Sequence, residues 1–379
     1  MRTALRIVAA CLGLVVVLAA LALGFRAWRQ HENAETYAIR TPNGIQQAMF
    51  VRIGGIEQWI RIRGDDRKNP VILYLHGGPG NSESVLYPVF HDWERHFTVV
   101  MWDQRGAGKT YGRNGTDEQP MTMAQSVRDG VAMAEYLERH LHKRKIILLG
   151  HSWGTEIGLL IVKARPELFS AYVGTGQVVN IAEKETYIYD QTMARMRAAH
   201  DEAGIRALDA VGPPPYKSNH DLEIERDWSE RYDIPAERDM RWHFTPMVAF
   251  APDFSFRDIY DLLYASNWTA QQLFAQEEKF DARKCCVSFK LPIFIFNGDH
   301  DTITPAPLIA PWFKHIEAPE KKFVILTGAG HDAVLLEPDR FLYLLLRNVR
   351  PLAVAADAAQ PQNSSPVASQ NLIHTKATH

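Results

Sequence analysis

Four short stretches of this sequence carry groups that could do covalent chemistry together. In Gly150-His151-Ser152-Trp153-Gly154 a serine lies between glycines, directly after the apolar run Lys145-Ile146-Ile147-Leu148-Leu149 and before Ile157-Gly158-Leu159-Leu160-Ile161-Val162. The first run predicts a buried strand and the second a buried helix, so Ser152 would sit on a tight strand-to-helix turn. Such a turn pushes the hydroxyl out at the carboxyl end of the strand and aims the Trp153 amide at a developing oxyanion. A serine hydroxyl is a weak nucleophile near neutral pH; it needs a base, and the base needs an orienting carboxylate. Residues 291–296 read as a strand ending in Gly298-Asp299-His300-Asp301, and residues 322–326 as one ending in Gly328-Ala329-Gly330-His331. Acid and histidine thus follow the serine in the order this chemistry uses, each just after a strand. Asp301 is the expected acid and His331 the expected base, while Asp299, closer to its strand, is expected to support the turn. His76-Gly77-Gly78-Pro79-Gly80 follows the strand-like residues 71–75. Its glycines allow backbone N–H groups to approach a ligand, and Gly78 and Trp153 are the expected oxyanion donors.

A frame must hold these loops at one edge. Buried strand-like runs at 71–75, 97–102, 145–149, 171–174, 291–296 and 322–326 alternate with helical patterns, including residues 121–142 with Thr122 as a cap. That alternation predicts an α/β fold with a mainly parallel sheet and helices on both faces. Residues 48–52 and 56–63 around Gly54-Gly55 read as a hairpin. The core is expected over 46–178 and 291–350. Between them, residues 179–290 are helix-like, charged and aromatic, with Gly212-Pro213-Pro214-Pro215 in the middle. They read as an inserted helical lid over the serine turn. Residues 351–379 lack periodicity and are expected to be a disordered tail.

The chain has 379 residues, 46% of them hydrophobic, and a net charge of −2, which fits a globular protein and argues against nucleic acid as a partner. Three cysteines, Cys11, Cys285 and Cys286, form no disulfide framework. The histidines lack metal-ligand spacing, so no metal is expected. Residues 7–25 carry no charge and are long enough to span a membrane. We expect 1–30 to be a membrane anchor, with a cleaved signal as the alternative, and 31–45 to be a linker. Arg2, Arg6 and the amino terminus against Arg26 and Arg29 favour a cytoplasmic amino terminus, with the main domain on the extracytoplasmic side or, after signal cleavage, secreted.

Taken together, H-G-G-P-G at 76–80, D-Q-R-G-x-G at 103–108 and G-H-S-W-G at 150–154 resemble the prolyl iminopeptidase-like branch of the α/β-hydrolase superfamily. Gly298-x-x-Asp301 and Gly330-His331 also match the superfamily pattern. The likeness covers about residues 45–350. It implies an α/β-hydrolase fold, Ser152 as nucleophile, His331 as base, Asp301 as its partner, Gly78 and Trp153 as oxyanion donors, and no cofactor. It further implies an aminopeptidase acting on short peptides, with acidic lid residues holding the free amine. The sequence departs from the branch in its lid: Asp227-Trp228-Ser229-Glu230 only loosely echoes the familiar tryptophan–glutamate signature. Glu183, Glu185, Asp258 and Asp261 are other lid carboxylates, and their type alone assigns them no ligand role. The alternative readings are an esterase or lactonase with the same triad and an apolar pocket, and a non-catalytic binding protein.

Overall fold

The computed structural model describes residues 2–116 and 121–358. One eight-stranded sheet carries the molecule: β1 (Ile45–Ile53), β2 (Ile56–Gly64), β3 (Val71–Leu75), β4 (Thr98–Trp102), β5 (Ile146–His151), β6 (Phe169–Thr175), β7 (Ile293–Gly298) and β8 (Lys321–Leu326). Their order is β1-β2-β4-β3-β5-β6-β7-β8. β1 and β2 form a hairpin with Ile53 opposite Ile56, and Gly54 and Gly55 take the positive φ values of 58° and 88° that a two-residue turn of this kind demands. β2 joins β4 antiparallel, and every later pairing is parallel. β3 and β5 therefore lie side by side in the middle, and their carboxyl ends open at the same edge.

The central strands are buried on both faces, and their side chains alternate between two cores. Leu73, Leu75, Ile146 and Leu148 pack on one face with Met133, Leu137, Ile157 and Ile161. These last come from α3 (Met123–Leu141) and α4 (Trp153–Ala164), which follow α1 (Arg2–Thr36) and α2 (Gly108–Asn114) along the chain. Thr122 caps α3 through a bond from the Gln125 amide, 3.0 Å. On the other face, Ile72, Tyr74, Ile147 and Leu149 meet Phe90 and Trp93 of a 3-10 segment over Ser84–Arg95, together with Phe341, Leu345 and Ala353.

The inserted segment is helical throughout its regular parts: α5 (Ile181–Ala198), α6 (Glu202–Val211), α7 (Asn219–Ser229), α8 (Pro235–Arg238), α9 (Met240–Ala249) and α10 (Phe256–Glu277). The chain returns to the sheet through α11 (Ala282–Cys285). It closes with α12 (Ala306–His315), α13 (Ala333–Leu336), α14 (Pro338–Asn348) and α15 (Arg350–Ala358).

Two boundaries differ from the sequence reading. The first helix runs unbroken to Thr36, into the first part of the expected 31–45 linker, because Arg26, Gln30 and Asn33 find partners on the insertion. At the other end, part of the expected 351–379 tail forms α15. Alanine favours helix, Leu352 and Ala353 pack on the core, and Lys143 pairs with Asp357 at 3.0 Å. The remainder of that expected tail, 359–379, lies outside the described residues.

Candidate active site

Ser152 sits between β5 and α4 at φ 51°, ψ −120°, a conformation costly for any residue with a side chain. Its surroundings hold it there. The Ser152 amide donates to the Thr175 carbonyl at 3.0 Å, and the Ser152 carbonyl accepts from both the amide and the hydroxyl of Thr155, each at 2.7 Å. The flanking glycines are required by close approach. A Cβ on Gly150 would lie 2.5 Å from the Gly154 carbonyl oxygen, and one on Gly154 would overlap the carbonyl of Leu75. Ser152 and Gly78 line the same cavity. Gly78 holds φ 114°, another position that suits only glycine. Among the described residues neither the Gly78 nor the Trp153 amide has an acceptor within the protein, as groups reserved for an oxyanion would be left.

His331 and Asp301, from the loops after β8 and β7, are brought together. His331 Nδ1 lies 3.0 Å from one Asp301 carboxylate oxygen and 3.2 Å from the other. Asp301 is buried and also accepts from the Thr304 amide (2.7 Å), the Thr304 hydroxyl (2.6 Å), the Ile303 amide (3.0 Å) and Asn297 Nδ2 (3.1 Å). Burial alone would raise its pKa, but His331 and the two Thr304 donors hold it at about 2. Asp301 is therefore an ionised carboxylate fixed on the histidine. Asp299 is engaged elsewhere: its carboxylate accepts from the Gly328 amide at 2.7 Å and braces the β8 turn. The His331 ring stands 5.2 Å from the ring of His151, the neighbour of Ser152, which places it beside the serine turn.

A second buried charge network underlies the serine and was not foreseen from the sequence. His151 Nδ1 lies 3.2 Å from Glu83, and its Nε2 lies 3.5 Å from Asp332. Burial would depress this histidine, yet Glu83 and Asp332 carry it up to about 9, so it is a cation near neutral pH. Glu83 also accepts from the Tyr74 hydroxyl and, at 3.1 Å, from the Gly77 amide, which ties the glycine loop to the serine turn. Glu83 and Asp332 belong to no recognisable motif; His151 lies inside one but does not declare a partner.

The Asp103–Gly108 loop buttresses both motifs. The Gln104 amide donates to His76 Nε2 at 3.2 Å while His76 Nδ1 bonds the Gly77 carbonyl at 2.8 Å, a pattern that requires the proton on Nδ1. Gln104 accepts from the Trp153 indole at 3.1 Å. Asp103 accepts from the Ser82 hydroxyl at 2.5 Å and the Lys109 amide at 2.8 Å, and Arg105 pairs with Asp129 at 2.8 Å.

Above the serine, the insertion encloses a cavity of about 1280 Å³. Its lining includes apolar side chains, Phe244 and Val248 of α9 and Ile259 and Leu262 of α10. It also includes charged ones from the insertion, of which Glu185, Glu223, Glu230, Glu277 and Glu278 outnumber Lys184, Arg226, Arg241 and Lys279. Arg226 bridges Glu185 and Glu225, and Lys184 reaches Glu185 at 3.0 Å. Burial would raise Glu185, but Arg226 and Lys184 draw it below its ordinary value. Burial instead pushes Glu277 up to about 7 and, with Glu277 nearby, pushes Glu156 of α4 well above the carboxylate range. Of the lid carboxylates noted in the sequence, Glu185 lines this cavity. Glu183 pairs with Arg283 at 2.6 Å, Asp258 caps α10, and Asp261 pairs with Arg257 at 2.9 Å. In the Asp227–Glu230 stretch, Glu230 reaches the cavity, whereas Trp228 packs against Met196 and Leu208. The lid also touches the acid and histidine loops directly: Thr302 donates to Asp233 at 2.5 Å, and the Asp332 amide donates to Glu237 at 3.1 Å.

A mainly parallel sheet with a serine turn at its carboxyl edge and a helical insertion above it defines a hydrolase of the α/β class. The chain belongs to the alpha/beta hydrolase fold family, whose model matches residues 70–338. It is similar to the probable aminopeptidase YbaC of Bacillus subtilis (30% identity, 79% of this chain and 94% of that one). The proline iminopeptidase of Lactobacillus helveticus is 24% identical over 77% of this chain and 93% of its own length. Among solved structures, a proline iminopeptidase-related protein from Thermus thermophilus superposes with a TM-score of 0.57 at 20% identity. It covers 83% of this chain and 98% of that one.

Proposed function

We propose that this hydrolase is a serine aminopeptidase of prolyl iminopeptidase type acting on short peptides. Ser152 attacks the carbonyl of the first residue while His331 takes its proton and Asp301 stabilises the imidazolium. The Gly78 and Trp153 amides hold the oxyanion. His331 then protonates the leaving amine, and water releases the acyl group from Ser152. The observation that carries the peptidase reading is the charged lining of the cavity that Ser152 shares, where lid carboxylates outnumber lid cations. A substrate ammonium would balance that excess, and Glu277, with its pKa raised to about 7, is the carboxylate best placed to ionise against it. The relatives named aminopeptidase and proline iminopeptidase support the same reading. The apolar lining residues Phe244, Val248 and Leu262 favour a second reading, an esterase or lactonase using Ser152, Asp301 and His331. We further infer that residues 7–25 anchor the protein in a membrane, with the catalytic domain on the extracytoplasmic side. The first helix is long and apolar enough for this, and its apolar stretch is not buried against the rest of the protein.

The test compares full-length protein in detergent on a prolyl anilide and a short-chain nitrophenyl ester, with Ser152→Ala as blank. Serine-dependent cleavage of the anilide is expected. Cleavage of the ester alone would overturn the peptidase reading in favour of the esterase.

A further inference from the structure

The first helix does not leave its apolar span as a free tether. Arg26 directly follows the last residue of that span, and its guanidinium donates to the carbonyls of Ala249 (3.1 Å) and Phe254 (2.6 Å). Gln30 donates to Ala251 at 2.7 Å, and Asn33 to Phe250 at 3.0 Å. These acceptors lie at the carboxyl end of α9 and in the loop to α10, where backbone carbonyls run out of helical partners. Rings reinforce the joint: Phe25 meets Phe250 edge-on at 5.7 Å, and Arg26 lies 4.4 Å over Phe256. The point at which the chain emerges from the apolar span is thereby fixed against the lid at Phe250–Phe256.

From that point an unusual surface extends. Phe256, Tyr260, Leu263 and Tyr264 recur at the spacing of one helical face along α10, and they are 60%, 56%, 72% and 48% exposed. The opposite face of the same helix buries Leu262, Ala265, Thr269 and Leu273. A contiguous stripe of large apolar and aromatic side chains on an otherwise polar surface marks a contact surface. Aromatic residues with a polar tip, flanked by arginine, are the side chains of the headgroup layer of a bilayer. Trp28 and Arg29 on the first helix and Arg257 on α10 complete that composition beside the joint. Leu263 belongs to the stripe, is exposed, and also lines the cavity that Ser152 lines, so the cavity reaches this face of the helix.

We propose that the outer face of α10 is seated in the headgroup layer of the membrane that the first helix spans, and that the cavity opens there, so that substrates with an apolar portion enter from the membrane surface. This rests on the anchor reading of residues 7–25. The occupant is the bilayer rather than another protein because the stripe begins at the residue that contacts the end of the span.

The test uses full-length protein in vesicles of phosphatidylethanolamine and phosphatidylglycerol with tritiated acyl chains. The photo-crosslinking residue p-benzoyl-phenylalanine replaces, one at a time, Leu14 within the span, Tyr260 and Leu263 on the stripe, and Ile325 on the exposed edge strand. Lipid adducts at Tyr260 and Leu263 several-fold above those at Ile325 are expected. Adducts at Leu14 with Tyr260 and Leu263 no higher than Ile325 would overturn the proposal while leaving the anchor intact. Absence of adducts at Leu14 as well would remove the anchor and the proposal together. Protein–protein adducts at Tyr260 in place of lipid would assign the face to a second copy. The readout is independent of turnover, so the peptidase reading neither rescues nor sinks it.

Discussion

The carboxyl edge of the sheet and the lid above it hold charges in different ways. At the edge, Asp301 and Ser152 are held largely by the few residues that follow their strands. Asp301 is gripped by Ile303 and Thr304 in its own loop, and Ser152 by the Thr155 of the helix it begins. In the lid, each charge depends on another helix: Arg226 of α7 meets Glu185 of α5, and Glu277 of α10 faces Glu156 of α4. Local chain geometry thus places the candidate catalytic groups, and helix packing shapes the cavity above them.

The largest effect is expected at the serine. Ser152→Ala is expected to lower kcat by about 10⁶-fold with the melting temperature little changed. Asp301→Asn should cost about 10⁴-fold in kcat, whereas Asp299→Asn should stay within a few-fold of the parent, since it braces a turn. Equal losses in the two aspartate variants would refute the assignment of the acid.

Removing one partner from a buried pair tests stability in both regions. His151→Ala strands Glu83 and should destabilise the core by about 3–5 kcal/mol in denaturant unfolding. Arg226→Met removes the cation between Glu185 and Glu225, leaving Glu185 only Lys184, and should raise hydrogen exchange in α5 and α7 while leaving β5 protected. Uniform loss of protection across the sheet would show that the lid is not a separate unit of stability.

The pH dependence carries opposite signs at the two histidine–carboxylate pairs of the edge. His151, carried from 6.5 up to about 9, contributes stability that is complete below pH 6.5 and is lost as pH rises through 9. Its shift corresponds to about 3 kcal/mol. Asp301, drawn from 3.8 down to about 2, contributes stability present above pH 3.8 and lost as pH falls through 2, about 2 kcal/mol. Denaturant midpoints from pH 3 to 10 should fall at both ends, and His151→Gln should flatten the alkaline limb. A smaller loss is expected in the lid: Glu277→Gln should raise KM for a substrate with a free amine by about tenfold, with kcat for a short ester unchanged.

The strands and the residues following them could be read from the chain because buried parallel strands are short, continuous apolar runs and their loops are too brief to scatter the groups they carry. That is why Ser152, Asp301, His331 and Gly78 could be singled out as candidates by order and spacing alone. The choice between Asp301 and Asp299 turned on which carboxylate the fold points toward His331, two residues being enough to reverse direction. Glu83 and Asp332 lie 68 and 181 residues from His151, so their pairing exists only once β3, β5 and the loop after β8 are side by side. The lid was legible as helix but not as a surface, because an amphipathic pattern rich in charge on several faces does not say which face turns inward. The docking of Arg26, Gln30 and Asn33 onto the lid, and the helix made from the start of the expected tail, belong to the same class. Each depends on partners distant in sequence, and helix packing alone brings those partners within reach.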